Sequence, residues 1–242
     1  KSKNLELAEN SSTVQSEDYL MLNYCYLISM IETRHTIWEY EYMAFSRRMG
    51  EVWENFCATC WELPASKVSR IQPPNESIIK GKIKESISLL ELNKPQNASI
   101  LETIETIFSL TGKISLKLDM LSSNGRHKIG IDFKSGFGSN EKGNTDRLLT
   151  VGKTYKYLFP DCELYILVRQ EENNHYLEVL RKSGVWQVHC GEKAYSVISE
   201  ITDINIGDFV KQEVNFERDL SDKVLDSLQK SIPDCSKYLK WI

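Results

Sequence analysis

The sequence contains no long hydrophobic segment, no low-complexity tract and no internal repeat. Its longest nearly apolar run, residues 19–31, is too short to span a bilayer and is interrupted by Asn23 and Ser29. The first residues lack the basic, apolar and small-residue pattern of a secretory signal. From 242 residues, 41% of them hydrophobic, we expect a folded protein in the cytoplasm that has no membrane partner.

The sequence lacks the features of a disulfide-linked secreted protein. Six cysteines without a secretory signal indicate reduced core thiols rather than a disulfide framework. Cys57 and Cys60 have the spacing of a redox or zinc pair, but they lie in a helical pattern. His189 and Cys190 are adjacent on an expected strand and cannot easily bind one metal. The sequence therefore disfavours a zinc site.

The chain also lacks the overall positive charge of many nucleic-acid-binding proteins, because its formal net charge is −4. The charge is unevenly distributed, however. Residues 113–156 contain nine Lys or Arg against four acidic residues, a local charge of +5, so the rest of the chain carries −9. A basic centre in an acidic protein favours a polyanion held in one cleft.

The hydrophobic periodicity predicts an α/β fold built on a mixed sheet, with helical additions at both ends. We predict helices at 16–45, 47–63, 78–92, 98–110, 146–159 and 194–200, and one or two more from residue 221 onward. We predict strands at 113–119, 130–134, 164–169, 175–180 and 185–189. The first two strands form a hairpin, because Asn124-Gly125 between them is a strong turn signal.

The hairpin carries the candidate chemistry. Asp132 and Lys134 project from one face of the returning strand, since residues two apart point the same way. A structural ion pair would explain them. The hairpin also brings Asp119 beside Asp132, and two nearby carboxylates repel one another unless a divalent cation lies between them. Magnesium prefers carboxylates and a backbone carbonyl such as that of Phe133, and a lysine can orient the metal-bound water.

The arrangement Asp119–x12–Asp132–x–Lys134 resembles the signature of PD-(D/E)XK nucleases, and specifically of type II restriction endonucleases. Leu118 replaces the leading Pro of that signature. The resemblance implies a restriction-endonuclease-like mixed β-sheet core flanked by helices. It also implies a homodimer that uses Mg²⁺ to cut double-stranded DNA at specific sites and leaves a 5′-phosphate.

The resemblance covers about residues 47–200. Lys134-Ser135-Gly136, a polar loop, a helix ending in aromatic residues and a strand follow in the order of the subfamily whose type member cuts RGGNCCY. The stretch VHCGEKAYSVIS at 188–199 is similar to the same subfamily. The chain then divides into an N-terminal helical region (1–46), a candidate for dimerisation, a nuclease core (47–212) and a C-terminal helical tail (213–242).

The family often adds one more acidic residue from a helix ahead of the sheet, and Glu54 is the candidate here. Glu54 shares a helix stripe with Gly50, Cys57 and Trp61, which are small or apolar. A carboxylate on that stripe needs a partner, and a metal cluster would provide one. A glutamate at the helix surface is the alternative, and Glu102 and Glu105 are weaker candidates for the same role.

The segment after the second strand is rich in groups that can contact DNA. Its glycines let the backbone approach a phosphate, and Asn, Arg and Lys side chains pair with base edges or phosphates. The candidates are Ser135, Ser139, Asn140, Lys142, Asn144 and Arg147. His127 and Lys128, at the hairpin turn, are further candidates for the DNA backbone. A solvated loop and turn are the alternative.

Three other functions stay open at this point. A nuclease of the same fold can act in repair, junction resolution or RNA cleavage. A non-catalytic nucleic-acid-binding module can keep the hairpin, although such a module has no need for two adjacent acids facing DNA. A partner-binding helical protein can use the acid–lysine pair as a purely structural contact.

Overall fold

The computed structural model describes residues 15–88, 94–110, 117–136, 142–171 and 174–242. The helices are α1 (Ser16–Ile37), α2 (Tyr42–Thr59), α3 (Glu76–Ser88), α4 (Lys94–Leu110), α5 (Lys142–Leu158), α6 (His175–Lys182), α7 (Glu192–Thr202), α8 (Ile206–Glu213), α9 (Phe216–Asp219), α10 (Asp222–Ser231) and α11 (Ser236–Leu239). The strands are β1 (Ser69–Arg70), β2 (Met120–Ser123), β3 (Lys128–Lys134), β4 (Glu163–Val168) and β5 (Gln187–Cys190).

The strands form one mixed sheet in the order β1-β2-β3-β4-β5. β1, β2 and β3 pair antiparallel, whereas β3, β4 and β5 pair parallel. The predicted α/β class and mixed sheet are confirmed. The predicted turn is also present, since Asn124 Oδ1 accepts from the N–H groups of Arg126 and His127, and Gly125 has φ +84°.

Helices cover both faces of the sheet, and the alternation of β3 decides which side chains meet which layer. Ile131 and Phe133 are buried on the face that packs against α2 and the C-terminal helices. Trp53 of α2 lies edge-on to Phe133, with 5.6 Å between the ring centroids, and donates to Tyr195 Oη of α7 at 2.8 Å. The opposite face packs against α5 and α6, so α2 and α5 enclose β3 from its two sides.

The predicted single helix at 16–45 is wrong, because the chain breaks between α1 and α2. Trp38 is extended, with φ −150° and ψ 109°, and its carbonyl accepts from the Arg34 side chain at 2.8 Å. The Tyr40 N–H donates to Nδ1 of the buried His35 at 3.2 Å. These contacts turn the chain, so the second helix begins at Tyr42 and not at 47.

The predicted strand at 175–180 is also wrong, because this segment is helix α6. Asn174 caps the helix by accepting from the Tyr176 N–H, and Leu177 and Leu180 are buried one turn apart. A three-residue apolar spacing with an Asn cap is a helical signal, and it outweighs the short alternation of apolar and polar residues.

The other elements lie close to their predicted positions. The helix predicted at 146–159 is α5, the strands at 164–169 and 185–189 are β4 and β5, and the tail contains α10 and α11. Residues 113–116 of the first predicted hairpin strand lie outside the described residues, and β2 begins after Asp119. No disulfide joins the six cysteines, all of which lie in the described residues. In the described part of the chain, no helix has the length and hydropathy needed to cross a lipid bilayer.

Gly152 of α5 tests the described packing between α5 and the segment before β5. A Cβ atom at Gly152 would lie 2.5 Å from Trp186 Nε1 and from Val185 Cγ1. We expect Gly152→Ala to lower the free energy of unfolding by about 1–3 kcal/mol, as overpacked cores do, measured by urea unfolding. Gly143→Ala is the matched control in the same helix, because no atom lies within 4 Å of its Cβ position. An equal effect of both substitutions would contradict the packing.

Candidate active site

The β2–β3 hairpin places two carboxylates at one end of β3. Met120 pairs with Ile131, so the antiparallel register continues to Asp119 opposite Asp132. Asp119 Oδ2 accepts from the Phe133 N–H at 2.8 Å, which fixes this carboxylate against the strand. The structure therefore brings Asp119 and Asp132 together, as the spacing in the sequence predicts.

The Asp132 carboxylate is fully buried and is held between two cations. Its Oδ1 contacts the Lys134 ammonium, and its Oδ2 accepts from the Arg147 guanidinium at 3.0 Å. A buried carboxylate is costly unless it is paired in this way. The predicted pairing of Asp132 with Lys134 is present, but Arg147 as a second partner is not visible in the sequence pattern.

The Lys134 ammonium lies among the oxygens that are the predicted metal ligands. It donates to the Phe133 carbonyl at 3.0 Å, contacts Asp132 Oδ1, and lies 3.9 Å from Asp119 Oδ2. The ammonium thus stands where a cation would be surrounded by three oxygens from Asp119, Asp132 and Phe133. This convergence of oxygen ligands is what a hard divalent cation requires.

Glu54 of α2 shares the electrostatic field of this cluster. Burial raises the pKa of its carboxyl to about 7, and the charge of Asp119 adds to the effect, with a smaller contribution from Asp132. The pKa of Asp119 is also raised, first by burial and then by Asp132, whereas Lys134 opposes the shift. Burial is thus the first cause of both shifts and the neighbouring acids add to it, so a bound cation would favour the charged forms of these carboxyls.

Gly50 explains how α2 comes close enough to carry Glu54 to the site. A Cβ atom at Gly50 would lie 3.2 Å from the Cβ atom of Ser135, the residue that follows β3. The helix thus packs directly on the end of the strand, and Glu54 lies one helical turn after Gly50. Gly50 therefore permits the close packing of α2 against the end of β3.

Arg169 is a part of this edge that the sequence reading missed. The parallel pairing puts it directly after β4, beside Ser135, and its N–H donates to the Lys134 carbonyl at 2.8 Å. The buried guanidinium donates to Ser135 Oγ at 3.2 and 3.1 Å and to the carbonyls of Lys237 and Lys240 at 2.9 and 3.0 Å. The signal in the sequence is an Arg at the end of the apolar strand LYILVR, parallel to a strand that ends in Lys134.

The candidate DNA contacts after β3 fall into three groups. Ser135 accepts from Arg169, and Asn144 Oδ1 accepts from Arg147 Nε at 3.3 Å, so both belong to the hydrogen-bond network of the site. Lys142 is exposed at the start of α5. Ser139 and Asn140 lie outside the described residues.

His127 and Lys128 do not lie near the carboxylates. They precede and begin β3, whereas Lys134 ends it, and a seven-residue strand is roughly 20 Å long. His127 Nε2 lies 3.1 Å from Glu163 Oε1, and the Lys128 ammonium lies 4.2 Å from the centroid of the Phe159 ring. Any contact of these two residues with DNA would be separate from the reacting group.

The donor set fits magnesium better than a metal that needs a complete protein cage. The described residues contain no group of three or more His, Cys, Asp or Glu side chains placed to hold a metal ion. Magnesium is bound by one or two carboxylates and keeps several waters. Asp119, Asp132 and the Phe133 carbonyl suffice for such a site, and Glu54 is near enough to feel their charge.

No protein-family model matches the chain, and no curated protein matches it either.

Glu54→Gln tests whether ionisation of the Glu54 carboxyl destabilises the folded protein. A carboxyl whose pKa is raised in the folded protein lowers stability as the pH rises from its unfolded value to its folded value of about 7. We expect Glu54→Gln to melt at the same or a slightly higher temperature than the wild type at pH 5, and at a clearly higher temperature at pH 8, without added metal.

Glu51→Gln is the matched control, because Glu51 lies on the same helix and is ion-paired with Arg47 and Arg48 at 3.0 and 2.9 Å. This control should show no gain between pH 5 and pH 8. A melting difference between Glu54→Gln and the wild type that does not grow with pH would contradict the described field.

Proposed function

We propose that this chain is a cytoplasmic, magnesium-dependent type II restriction endonuclease with a restriction-endonuclease-like PD-(D/E)XK core. One observation carries the proposal: the Lys134 ammonium lies among oxygens of Asp119, Asp132 and Phe133 at the end of the central strand. The mixed sheet and the position of Asp119 and Asp132 on one hairpin also support the proposal.

In this proposal, Asp119, Asp132 and the Phe133 carbonyl hold Mg²⁺. The bound ion would polarise the phosphodiester and lower the pKa of its water. Lys134 orients the attacking water and stabilises negative charge on the phosphate. The water oxygen would bond to phosphorus as the bond to the 3′ oxygen breaks, and the 3′ oxygen would take a proton from solvent water, which gives a 5′-phosphate and a 3′-hydroxyl. Glu54, whose carboxyl is in the electrostatic field of Asp119 and Asp132, would take the proton of the water.

The substrate contacts belong to the proposal as well. Lys142 and Asn144 lie at the start of α5 and Arg147 one turn further, on the side of β3 that carries Asp132. Ser135 follows the catalytic strand. These groups, with Ser139 and Asn140, would contact phosphates or base edges, and phosphate contacts would fix the register of the duplex.

A homodimer would match the twofold symmetry of a palindromic target. The turn between α1 and α2 supports an interface in the N-terminal region, because Ile37, Trp38 and Met43 are 76%, 69% and 73% exposed. Large apolar side chains at this exposure favour contact with a second copy of the chain.

A non-catalytic nucleic-acid-binding module is the second candidate. This candidate is supported by the two ion pairs of Asp132, because Lys134 and Arg147 would compensate its buried charge without a metal. A nuclease of the same fold with a repair role shares the site and differs only in its products. Cleavage experiments separate the three functions.

We expect the wild type to cut a long sequenced duplex into discrete fragments with Mg²⁺. Asp132→Ala and Lys134→Ala should each lower the cleavage rate by at least about 10²-fold. Lys153→Ala is the control, because it removes a lysine from an exposed position of α5. A smear that both variants abolish would favour a nonspecific nuclease, and folded wild type without cleavage in Mg²⁺ or Mn²⁺ would refute catalysis.

Arg147 gives a separate prediction about metal binding. Its guanidinium occupies Asp132 Oδ2, so a divalent cation must compete with it. We expect Arg147→Ala to bind Mn²⁺ at least about fivefold more tightly than the wild type in calorimetric titrations without DNA. Lys153→Ala removes one charge from the same helix and should leave the affinity within twofold. Equal affinity of Arg147→Ala and the wild type would show that Arg147 does not compete with the ion.

A further inference from the structure

A cleft of about 550 Å³ lies at the carboxyl ends of β4 and β5. Arg169, Gln170, Glu171, Lys237, Lys240 and Trp241 are among its lining residues. Ligands of open sheets bind in crevices outside the carboxyl ends of parallel strands. This cleft lies at such an edge of the sheet, but the candidate catalytic residues are not part of it.

The cleft lies on the same edge as the candidate active site. Lys134 pairs with Val168 and Val168 with Cys190, so β3, β4 and β5 end at one level. Two strand spacings separate β3 from β5, about 10 Å. A DNA strand advances about 3.4 Å per nucleotide along the helix axis. A strand whose reacting phosphate lies at Lys134 can thus reach the cleft about three nucleotides away.

Hydrogen bonds attach the C-terminal tail to the edge of the sheet beside the cleft. The buried Arg169 guanidinium donates to the carbonyls of Lys237 and Lys240, and the Gln170 amide donates to the Lys237 carbonyl at 3.2 Å. The tail backbone is thereby fixed to the sheet edge at the two lysines. Lys240 is exposed, and Lys237 is 43% exposed with its ammonium 3.9 Å from Asp234 Oδ2. A pair this exposed and this long is weak.

Each of the two acidic side chains that line the cleft lies near a positively charged group or the positive end of a helix. Glu192 pairs with Lys211 at 2.9 Å, outside the lining of the cleft. The Glu171 carboxylate lies against Gly191, where a side chain would overlap it, immediately before α7. A helix N terminus favours a negative charge at that position. The lining side chains, three cationic and two anionic, give the cleft a formal charge of +1.

We propose that this cleft binds backbone phosphates of the DNA strand that is cut at Lys134, with Lys237 and Lys240 as the phosphate contacts. The inference rests on the proposed nuclease function and extends it, since it assigns the C-terminal tail to substrate binding. Arg169 then acts as a positioning residue that connects the tail to Ser135 at the end of the catalytic strand.

The test compares the double variant Lys237→Ala/Lys240→Ala with a matched control, Lys223→Ala/Lys230→Ala. The control removes the same charge from exposed positions of α10 in the same tail, and neither residue lines the cleft. The probe is a fluorescein-labelled 30-base-pair duplex, titrated with Ca²⁺ in place of Mg²⁺ between 50 and 200 mM salt. The melting temperature of each variant checks that it is folded.

We expect the slope of log affinity against log salt to fall by about 1.8 in the cleft variant, since each phosphate contact contributes about 0.9. Its affinity near 150 mM salt should fall on the order of tenfold, and the control should stay within twofold of the wild type. An unchanged slope in the cleft variant, or an equal loss in the control, would overturn the inference.

The failure of the cleft and the failure of the nuclease function are distinguishable. If the wild type neither binds the duplex nor cuts long DNA, the proposed function fails and the cleft inference fails with it. If the wild type binds and cuts DNA but the cleft variant binds with the same slope, only the cleft inference fails. Once the cut is mapped, an uncharged methylphosphonate about three nucleotides from it should weaken the wild type and leave the cleft variant unaffected.

Discussion

The fully buried carboxylate of Asp132 is the constraint around which the centre of this protein is arranged. A carboxylate buried in a sheet is costly unless cations lie against it, and Lys134 and Arg147 supply two. Lys134 comes from the same strand, but Arg147 requires that α5 lie across β3. The ion pairs therefore link the strand to the helix layer above it, and the hairpin adds Asp119 from the side.

The same arrangement disfavours the charged forms of the neighbouring carboxyls, which favours the binding of a cation. Asp119 and Glu54 both have raised pKa values because burial and their neighbours disfavour their charged forms. Raised pKa values in a cluster of acids are typical of functional sites, although structural ion networks also produce them. A divalent cation would stabilise these carboxylates and release Arg147 toward a phosphate, so metal and DNA binding would favour each other.

Local signals in the sequence predict the hairpin and its acids well. The Asn124-Gly125 turn and the spacing of Asp119 and Asp132 depend on a few neighbouring residues, and the structure has both. The sequence pattern does not predict the break after Ile37, and it predicts a strand where the structure has α6. The break depends on the contact of Tyr40 with a buried His35, which no propensity encodes.

The partners of Arg169 could not be read from the sequence for a related reason. The carbonyls of Lys237 and Lys240 lie 68 and 71 residues further along the chain. Only the folded tail brings them to the sheet edge. Arg147 likewise is of a residue type that often contacts DNA, and its partner Asp132 is evident only once α5 is placed on β3. Contacts between distant segments are thus the part of the site that the sequence leaves open.

The measurement that tests the account most directly is an anomalous difference map from a crystal of the protein soaked in Mn²⁺. The account predicts a peak about 2 Å from oxygens of Asp119, Asp132 and the Phe133 carbonyl, with the Lys134 ammonium moved away from its position between them. No peak at this position, with Lys134 still bonded to Asp132 and the Phe133 carbonyl, would contradict the account and leave a structural ion pair.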